Sequence, residues 1–418
     1  MKTVGLVVEY NPFHNGHLYH LQQAKKISDA DSVVCVMSGN FIQRGEPALI
    51  NKWARTKAAL LSGADLVLEL PVVFAMSSAE YFAFGAVKIL DSLGIVDSIC
   101  FGSEIGRLEE LKLLADILVN EPEDYKAYLK NNLSLGVSYP AARENALAGY
   151  LKDKHPSFEN ISGVIASSNN ILGIEYLKAL LKLKSRIEPV TIQRIGSSYN
   201  DENISGELSS ATAIRKLAAD NSSSSYDSLD NLIPPSALQI LKDEFANGRG
   251  PVLPSAYENL IIHQIRKMTV NDIKAFPGVT EGLENRIKSC AENCGTFDEL
   301  VAEICTRRYT RTRIQRCLFD ILIGITSERL DTFMQNGGPQ YIRVLGFNNK
   351  GRRLLSEAKE KASLPLIVKT ADLKNSSNPL IRSMLELESL STDIYVLGYK
   401  NGEYRKAGQE FTQNIVRI

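Results

Sequence analysis

The chain has 418 residues, of which 44% are hydrophobic and 23% charged, and its 48 Lys+Arg against 48 Asp+Glu leave a formal net charge of +0. At about 150 residues per domain, this length allows two to three domains, with ample sequence for cores that need no staples. The balance excludes a uniformly basic nucleic-acid coat and an acidic disordered chain, but not a local basic patch. The uncharged apolar run between Glu69 and Glu80 is too short to cross a bilayer. Six cysteines are sparse for this length, so reduced thiols and a cytoplasmic setting are expected.

The first hundred residues alternate strand and helix patterns. Residues 3–9, 32–37, 65–70 and 97–101 read as buried strands, and 15–28, 47–62 and 78–93 as the helices between them. Such spacing predicts βαβ crossovers and a parallel sheet. From 108 to about 150 the pattern is helical. Residues 168–183 continue it, a fifth strand is expected at 187–195, and a helix follows at 209–219. The run Asn221–Ser225 has linker composition. Beyond it, 230–330 reads as helical. The tail mixes strand-like runs at 341–345, 366–368 and 393–397 with a helix at 351–361.

Three of the five histidines are His14, His17 and His20. His14 and His17 follow the first strand and open the first helix, three residues apart, so both imidazoles face one spot. That spot is the carboxyl end of the first strand, where open α/β sheets take ligands and a helix N-terminus suits phosphate. Gly16 leaves backbone accessible to a nucleotide. A strand, an Asn-Pro turn and then His-x-Gly-His resembles the HIGH-type nucleotidylyltransferase superfamily. Its members stabilise charge on the α-phosphate of ATP without a covalent intermediate. Two histidines without a third ligand make a poor zinc site, and no resident metal site is expected.

Ser209, Ser210, Thr212 and Arg215 form a second constellation, with hydroxyls at a helix N-terminus and a guanidinium one turn on. This resembles the Ser-Ser-Thr-x-Ile/Leu-Arg phosphate motif of the same superfamily, with Ala211 inserted. Both motifs together would hold the leaving pyrophosphate, with Mg²⁺ expected alongside. Gly102 at the end of the fourth strand, Asn169 at a helix start and Arg194 at the end of the fifth strand face the same crevice, as does the glycine-rich segment 38–45.

Arg307, Arg308, Arg311, Arg313 and Arg316 lie within ten residues, with Tyr309 among them. Arginine forks match phosphates and tyrosine stacks on bases, so this segment is expected to contact RNA. If all five met phosphates, log K would fall with log salt at a slope of about −3.5. Cys290, Cys294, Cys305 and Cys317 lack the paired spacing of a zinc ribbon and read as helix cysteines.

Residues 7–17 (VVEYNPFHNGH), 37–48 (MSGNFIQRGEPA), 64–71 (ADLVLELP), 101–104 (FGSE), 169–176 (NNILGIEY), 208–215 and 307–316 together resemble the bacterial tRNA(Met) cytidine acetate ligases. The resemblance spans most of the chain. It implies a Rossmann-like α/β nucleotidylyltransferase domain at 1–228 with a parallel sheet. A mostly helical tRNA-binding domain with a small α/β tail would fill 229–418. It also implies a two-step reaction. Acetate attacks ATP to give acetyl-adenylate, and the acetyl group then passes to N4 of the wobble cytidine of elongator tRNA(Met). By that resemblance His14 and His17 are the catalytic pair. ATP would be carried by Val7, Val8, Glu9, Tyr10, Asn11, Pro12, Phe13, His14, Asn15, Gly16, His17, Leu18, Tyr19 and His20, with Gly102, Asn169 and Arg194. Ser209, Ser210, Thr212 and Arg215 would hold phosphates, and the arginine segment, Tyr309 included, would hold tRNA. The acetate pocket must be small and is placed at Gly39, Asn40 and Gln43. No general base for the second step stands out, and no protein partner is implied. Two other readings share some of these features: a small-molecule adenylyltransferase and a non-catalytic RNA-binding factor.

Overall fold

The structure is a computed structural model that describes residues 1–137, 139–156, 158, 161–194, 211–220, 229–373 and 376–418. The strands, in chain order, are β1 (Thr3–Val8), β2 (Ser32–Ser38), β3 (Phe41–Ile42), β4 (Glu46–Pro47), β5 (Leu66–Leu70), β6 (Ser98–Ser103), β7 (Glu188–Gln193), β8 (Ile342–Phe347), β9 (Leu366–Ile367) and β10 (Val416–Arg417). One eight-stranded sheet runs β10-β8-β5-β2-β1-β6-β7, with β9 paired to β8, while β3 and β4 form a separate small ladder. β5, β2, β1, β6 and β7 are mutually parallel. The chain moves outward from β1 to β2 and β5, then returns to the other side of β1 with β6. The β1/β6 boundary is therefore the topological switch point, where open sheets leave a crevice.

Alternation along each strand feeds two cores. Val33, Cys35 and Met37 face one cluster and Val34 and Val36 the other, as a period of two requires when helices cover both faces. The helices Asn15–Ile27, Lys52–Leu61, Ala79–Leu93 and Ser168–Leu183 provide that cover. The expected helix at 47–62 starts later, because Glu46 and Pro47 pair with Phe41 and Ile42 and Asn51 is the residue that caps it.

Helices fill most of 235–335. The tail then returns to the sheet, where β8 pairs antiparallel with β5. The sheet thus draws strands from both sides of the expected 228/229 division, and residues 221–228 beside that division lie outside the described residues. The strand expected at 393–397 is instead the end of the Pro379–Tyr395 helix and the turn Val396–Gly398 that follows. Ile381, Met384, Leu385, Glu388, Ser391, Thr392 and Tyr395 are among its buried positions. That is helical periodicity, which outweighs the short apolar run at its end.

Candidate active site

The chain leaves β1 with Tyr10 in the left-handed region (φ 48), a conformation that is costly for a bulky residue and concentrates at functional sites. The turn sends Tyr10 and Phe13 inward as an edge-to-face pair at 4.6 Å, and the His17 ring lies 5.1 Å from Tyr10. His14 caps the Asn15–Ile27 helix, its Nδ1 accepting the Gly16 N–H at 3.1 Å. A Cβ on Gly16 would come within 2.8 Å of His14 Cε1, so glycine is what lets the ring fold back over the helix start. The His14 and His17 ring centroids are 3.7 Å apart. With Nδ1 accepting, the neutral His14 ring carries its hydrogen on Nε2. Burial, then the charges of Arg194 and Arg215, hold His14 down to about 3. Burial and Arg194 hold His20 down to about 4. His17 is held well below the usual histidine range by burial and then by His14, His20 and Arg194. At neutral pH the cleft thus offers uncharged imidazoles as hydrogen-bond donors, beside fixed guanidinium charge.

The three histidines, Arg194 and Arg215 line a cleft at the switch point. Phe82, Phe101, Leu172, Tyr176 and Ile192 form an apolar part of its wall, while Glu9, Asn11, the three histidines, Arg44, Arg194, Thr212 and Arg215 form a polar part. Flat apolar walls beside cations suit a base joined to phosphates. Arg44 donates to the Thr212 hydroxyl at 3.0 Å, and Arg215 to the same hydroxyl at 3.3 Å and to the Asn11 carbonyl at 3.2 Å. Asn11 Nδ2, His17 Nδ1 and His20 Nε2 are buried without a hydrogen-bond partner among the described residues. Buried polar atoms are normally satisfied, so three orphans lining one cleft mark a polar ligand's place.

A groove adjoins the cleft and shares Gln43, Arg44, Leu172, Thr212 and Arg215 with it. Lys216, Arg311, Gln315 and Arg316 also line it, so the arginine segment borders a path toward the imidazoles. Its members differ in role. Arg307 is exposed. Arg308 and Arg311 are exposed and meet Glu281 at 3.0 Å and Asp298 at 2.9 Å. Arg313 donates to the Gly278 carbonyl and to Thr280, and lies over the Tyr309 ring at 5.2 Å. Arg316 donates to the Gln43 carbonyl at 3.2 Å and so locks the glycine-rich segment to the helical region. Gly45 serves the same junction. It has φ +73, and a Cβ there would collide with the Arg316 backbone. Tyr309, expected among the tRNA-binding residues, is 7% exposed, and its hydroxyl donates to the Glu281 carbonyl.

Of the residues expected to carry ATP, Val7, Val8, Glu9, Asn11, His14, Gly16, His17, Tyr19, His20, Gly102, Asn169, Arg194, Thr212 and Arg215 line the cleft. Tyr10, Pro12 and Phe13 are buried beneath it, and Leu18 packs on a core cluster. Asn15 turns away to the Asn231 carbonyl, with its backbone N–H on Leu232. Ser209 and Ser210 lie outside the described residues. Asn169 is oriented by Glu104, which accepts from its Nδ2 at 2.7 Å and from the Asn170 N–H at 2.9 Å. Of the residues expected at the acetate pocket, Gln43 lines the cleft, whereas Gly39 and Asn40 do not. Asn40 accepts from the Lys52 N–H at 2.9 Å and donates to Thr392 at 3.2 Å. Gly39 abuts Glu69 and Glu388, where a Cβ would sit 2.9 Å from a Glu69 oxygen. Arg44 and the apolar wall were not singled out from sequence. The signal available for Arg44 was its place in a glycine-rich segment following a parallel strand.

A parallel sheet with a switch-point cleft and paired imidazoles at a helix start define a nucleotidyl-transferring α/β protein. The family model described as HIGH Nucleotidyl Transferase matches residues 1–410. A tRNA(Met) cytidine acetate ligase of Acetivibrio thermocellus is 58% identical over 417 residues, covering 100% of both chains. One of Halothermothrix orenii is 44% identical over 424 residues, again covering 100% of both. Among solved structures, Thermotoga maritima TmcAL in an apo form superposes with a TM-score of 0.94 at 38% identity over 100% of both chains. The same protein bound with alpha-thio ATP gives 0.93 at 37% over the same coverage. The chain belongs to the tRNA(Met) cytidine acetate ligase family of HIGH nucleotidyl transferases. No helix among the described residues is long and apolar enough to cross a membrane.

Proposed function

We propose that this chain is an ATP-dependent tRNA(Met) cytidine acetate ligase working in the cytoplasm. The observation that carries the reading is the His14/His17 pair at the floor of a cleft that opens into a cation-lined groove. In the first step an acetate oxygen attacks the α-phosphorus of ATP and pyrophosphate leaves. His14 Nε2–H and the His17 ring stabilise charge on the α-phosphate, and Arg44, Thr212, Arg215 and Arg194 hold the phosphates. The apolar wall around Phe101 and Tyr176 receives the adenine. Gln43 is the one residue of the expected acetate set that lines the cleft, which supports an acetate position where cleft and groove join.

In the second step the N4 amine of the wobble cytidine of elongator tRNA(Met) attacks the acetyl carbon and AMP leaves. That amine is a weak nucleophile and acetate a poor acyl donor, so adenylation supplies the leaving group. The RNA approaches along the groove past Lys216, Arg307, Arg308 and Arg311. Mg²⁺ would enter with the triphosphate as part of the substrate and would neutralise phosphate charge there. A small-molecule adenylyltransferase needs neither the groove nor the helical region, and the relatives match this chain over its whole length.

The test combines the protein, ATP, Mg²⁺, radiolabelled acetate and bulk tRNA, followed by digestion to nucleosides. Label in N4-acetylcytidine is expected. Acetyl-adenylate without labelled RNA would remove the tRNA step, and no adenylate with any short acid would overturn the ligase reading.

A further inference from the structure

The transfer step requires a proton acceptor, because the cytosine amine must lose a proton as it becomes an amide. Glu9 follows β1 and lines the cleft beside Asn11, Gln43 and Arg44. Its Oε1 accepts the Gln43 N–H at 2.9 Å, and its backbone carbonyl accepts from Arg55 at 2.6 Å. The residue is thereby held from two sides, yet Oε2 has no hydrogen-bond partner among the described residues. Gln43, Arg44, Thr212 and Arg215 belong to both the cleft and the groove, so Glu9 stands where an activated acid on one side meets a base arriving from the other.

Resting on the ligase reading, we propose that Glu9 is a catalytic residue of the transfer step, its Oε2 taking the proton that leaves the cytosine N4. The N4 lone pair forms the new C–N bond to the acetyl carbon. The bond from that carbon to the adenylate oxygen breaks, its electron pair leaves with AMP, and the N4 proton passes to the carboxylate. Glu9 returns the proton to water as products depart. The other candidates are less well placed. His14 Nδ1 is occupied by Gly16, and the imidazoles are held low by burial and face the phosphate. Glu46 lines the groove rather than the cleft and pairs with Arg215 at 3.5 Å.

Burial raises Glu9 above the ordinary carboxylate range, which strengthens it as a base. The Gln43 N–H, Arg44 and Arg215 pull it back, and Glu46 adds to the rise. The charged groups facing it are therefore Arg44 and Glu46 from the glycine-rich segment, Arg215 from the Ala211–Asp220 helix and Arg55 from the Lys52–Leu61 helix. The three histidines lie in the same cleft.

The test measures the two half-reactions separately in Glu9→Gln: acetate-dependent exchange of pyrophosphate into ATP, and single-turnover transfer from acetyl-adenylate to tRNA. Transfer is expected to fall at least about 10²-fold further than exchange, with Glu9→Asp recovering part of it and Glu46→Gln showing no such split. Equal losses in both halves would reduce Glu9 to a support for Gln43, and no loss of transfer would overturn the proposal outright. In the unmodified protein, single-turnover transfer should decline at acid pH with a midpoint above the ordinary carboxylate range. A flat profile there would overturn the proposal even if Glu9→Gln failed to fold. Failure of the ligase reading itself would show differently, as absence of N4-acetylcytidine in the unmodified protein.

Discussion

Glu9, just past β1, and Glu69, near the end of β5, mark two regions of one sheet that treat buried charge in opposite ways. Glu69 meets Lys52 at 2.6 Å and Arg343 at 2.7 Å. Lys52 also reaches Glu410 at 2.9 Å and Glu388 at 3.3 Å, Arg343 pairs with Glu410, and Glu388 accepts the Val72 N–H at 2.8 Å. Burial alone would raise Glu69, but Arg343 and Lys52 hold it down to about 2. Burial and then the Glu69 charge push Glu388 up to about 7. The elements involved come from both ends of the chain, and the cluster welds the returning tail to the sheet. Around Glu9 the polar atoms Asn11 Nδ2, His17 Nδ1 and His20 Nε2 have no hydrogen-bond partner among the described residues. A sealed cluster gives stability and position. An unsealed one keeps its hydrogen-bonding capacity for a ligand.

The comparison breaks if His17→Ala leaves chemistry intact. Adenylate formation in that variant should fall by about 10²–10³-fold, the range for removal of one donor that stabilises transition-state charge, while the chain stays folded. Pyrophosphate exchange and a thermal melt on the same sample decide it. Lys52→Met is the mirror experiment. It leaves three buried carboxylates with one cation and should cost about 3–5 kcal/mol of stability, read by urea titration. Activity per folded molecule should change little, because Lys52 does not line the cleft.

A pH titration separates the regions next. The folded value of His14 lies below the ordinary 6.5 at about 3, so the native state takes up this proton later than the unfolded chain. Its stabilising contribution is complete above pH 6.5 and is lost as pH falls from there toward 3. At pH 5 the loss from His14 alone is about 2 kcal/mol, and His20 adds to it in the same direction. Melting temperature should therefore fall between pH 7 and pH 5, and His14→Gln should flatten the decline. A decline unchanged in His14→Gln would mean that the imidazole is not buried as described.

The legibility of these regions from sequence was unequal for physical reasons. Strand–helix alternation and the His14–Gly16–His17 spacing are local patterns, and they located both the parallel sheet and the floor of the cleft. The ion cluster is not local. Lys52 and Glu410 are far apart in sequence, and each alone reads as a surface charge. Asn40 shows the same limit, since a polar residue in a glycine-rich loop looks identical whether it turns to the cleft or to Lys52 and Thr392. Tyr309, flanked by arginines, looked like a base platform. Only the fold shows its hydroxyl on Glu281. The closure of the sheet by β8 was hidden because a short apolar strand carries no mark of its partner.

The smallest effect tests how far the open region extends. Arg311 and Arg313 are two residues apart, yet one faces the groove with an exposed partner and the other is tied into the backbone. The Arg311–Asp298 pair has side chains 55% and 80% exposed, so it contributes little to stability and is easily exchanged for a phosphate. Arg313 donates at 2.9 Å and 2.7 Å to the Gly278 carbonyl, bonds that a phosphate would have to replace. The paired variant Arg307→Ala/Arg311→Ala should leave adenylate formation and melting temperature unchanged. It should also reduce the salt slope of tRNA binding by about 0.7 for each phosphate that is no longer neutralised. Arg313→Ala should do the reverse, lowering the melting temperature with a slope close to that of the unmodified protein. Equal slopes for all three proteins would place the RNA on another face and confine the open region to the nucleotide cleft.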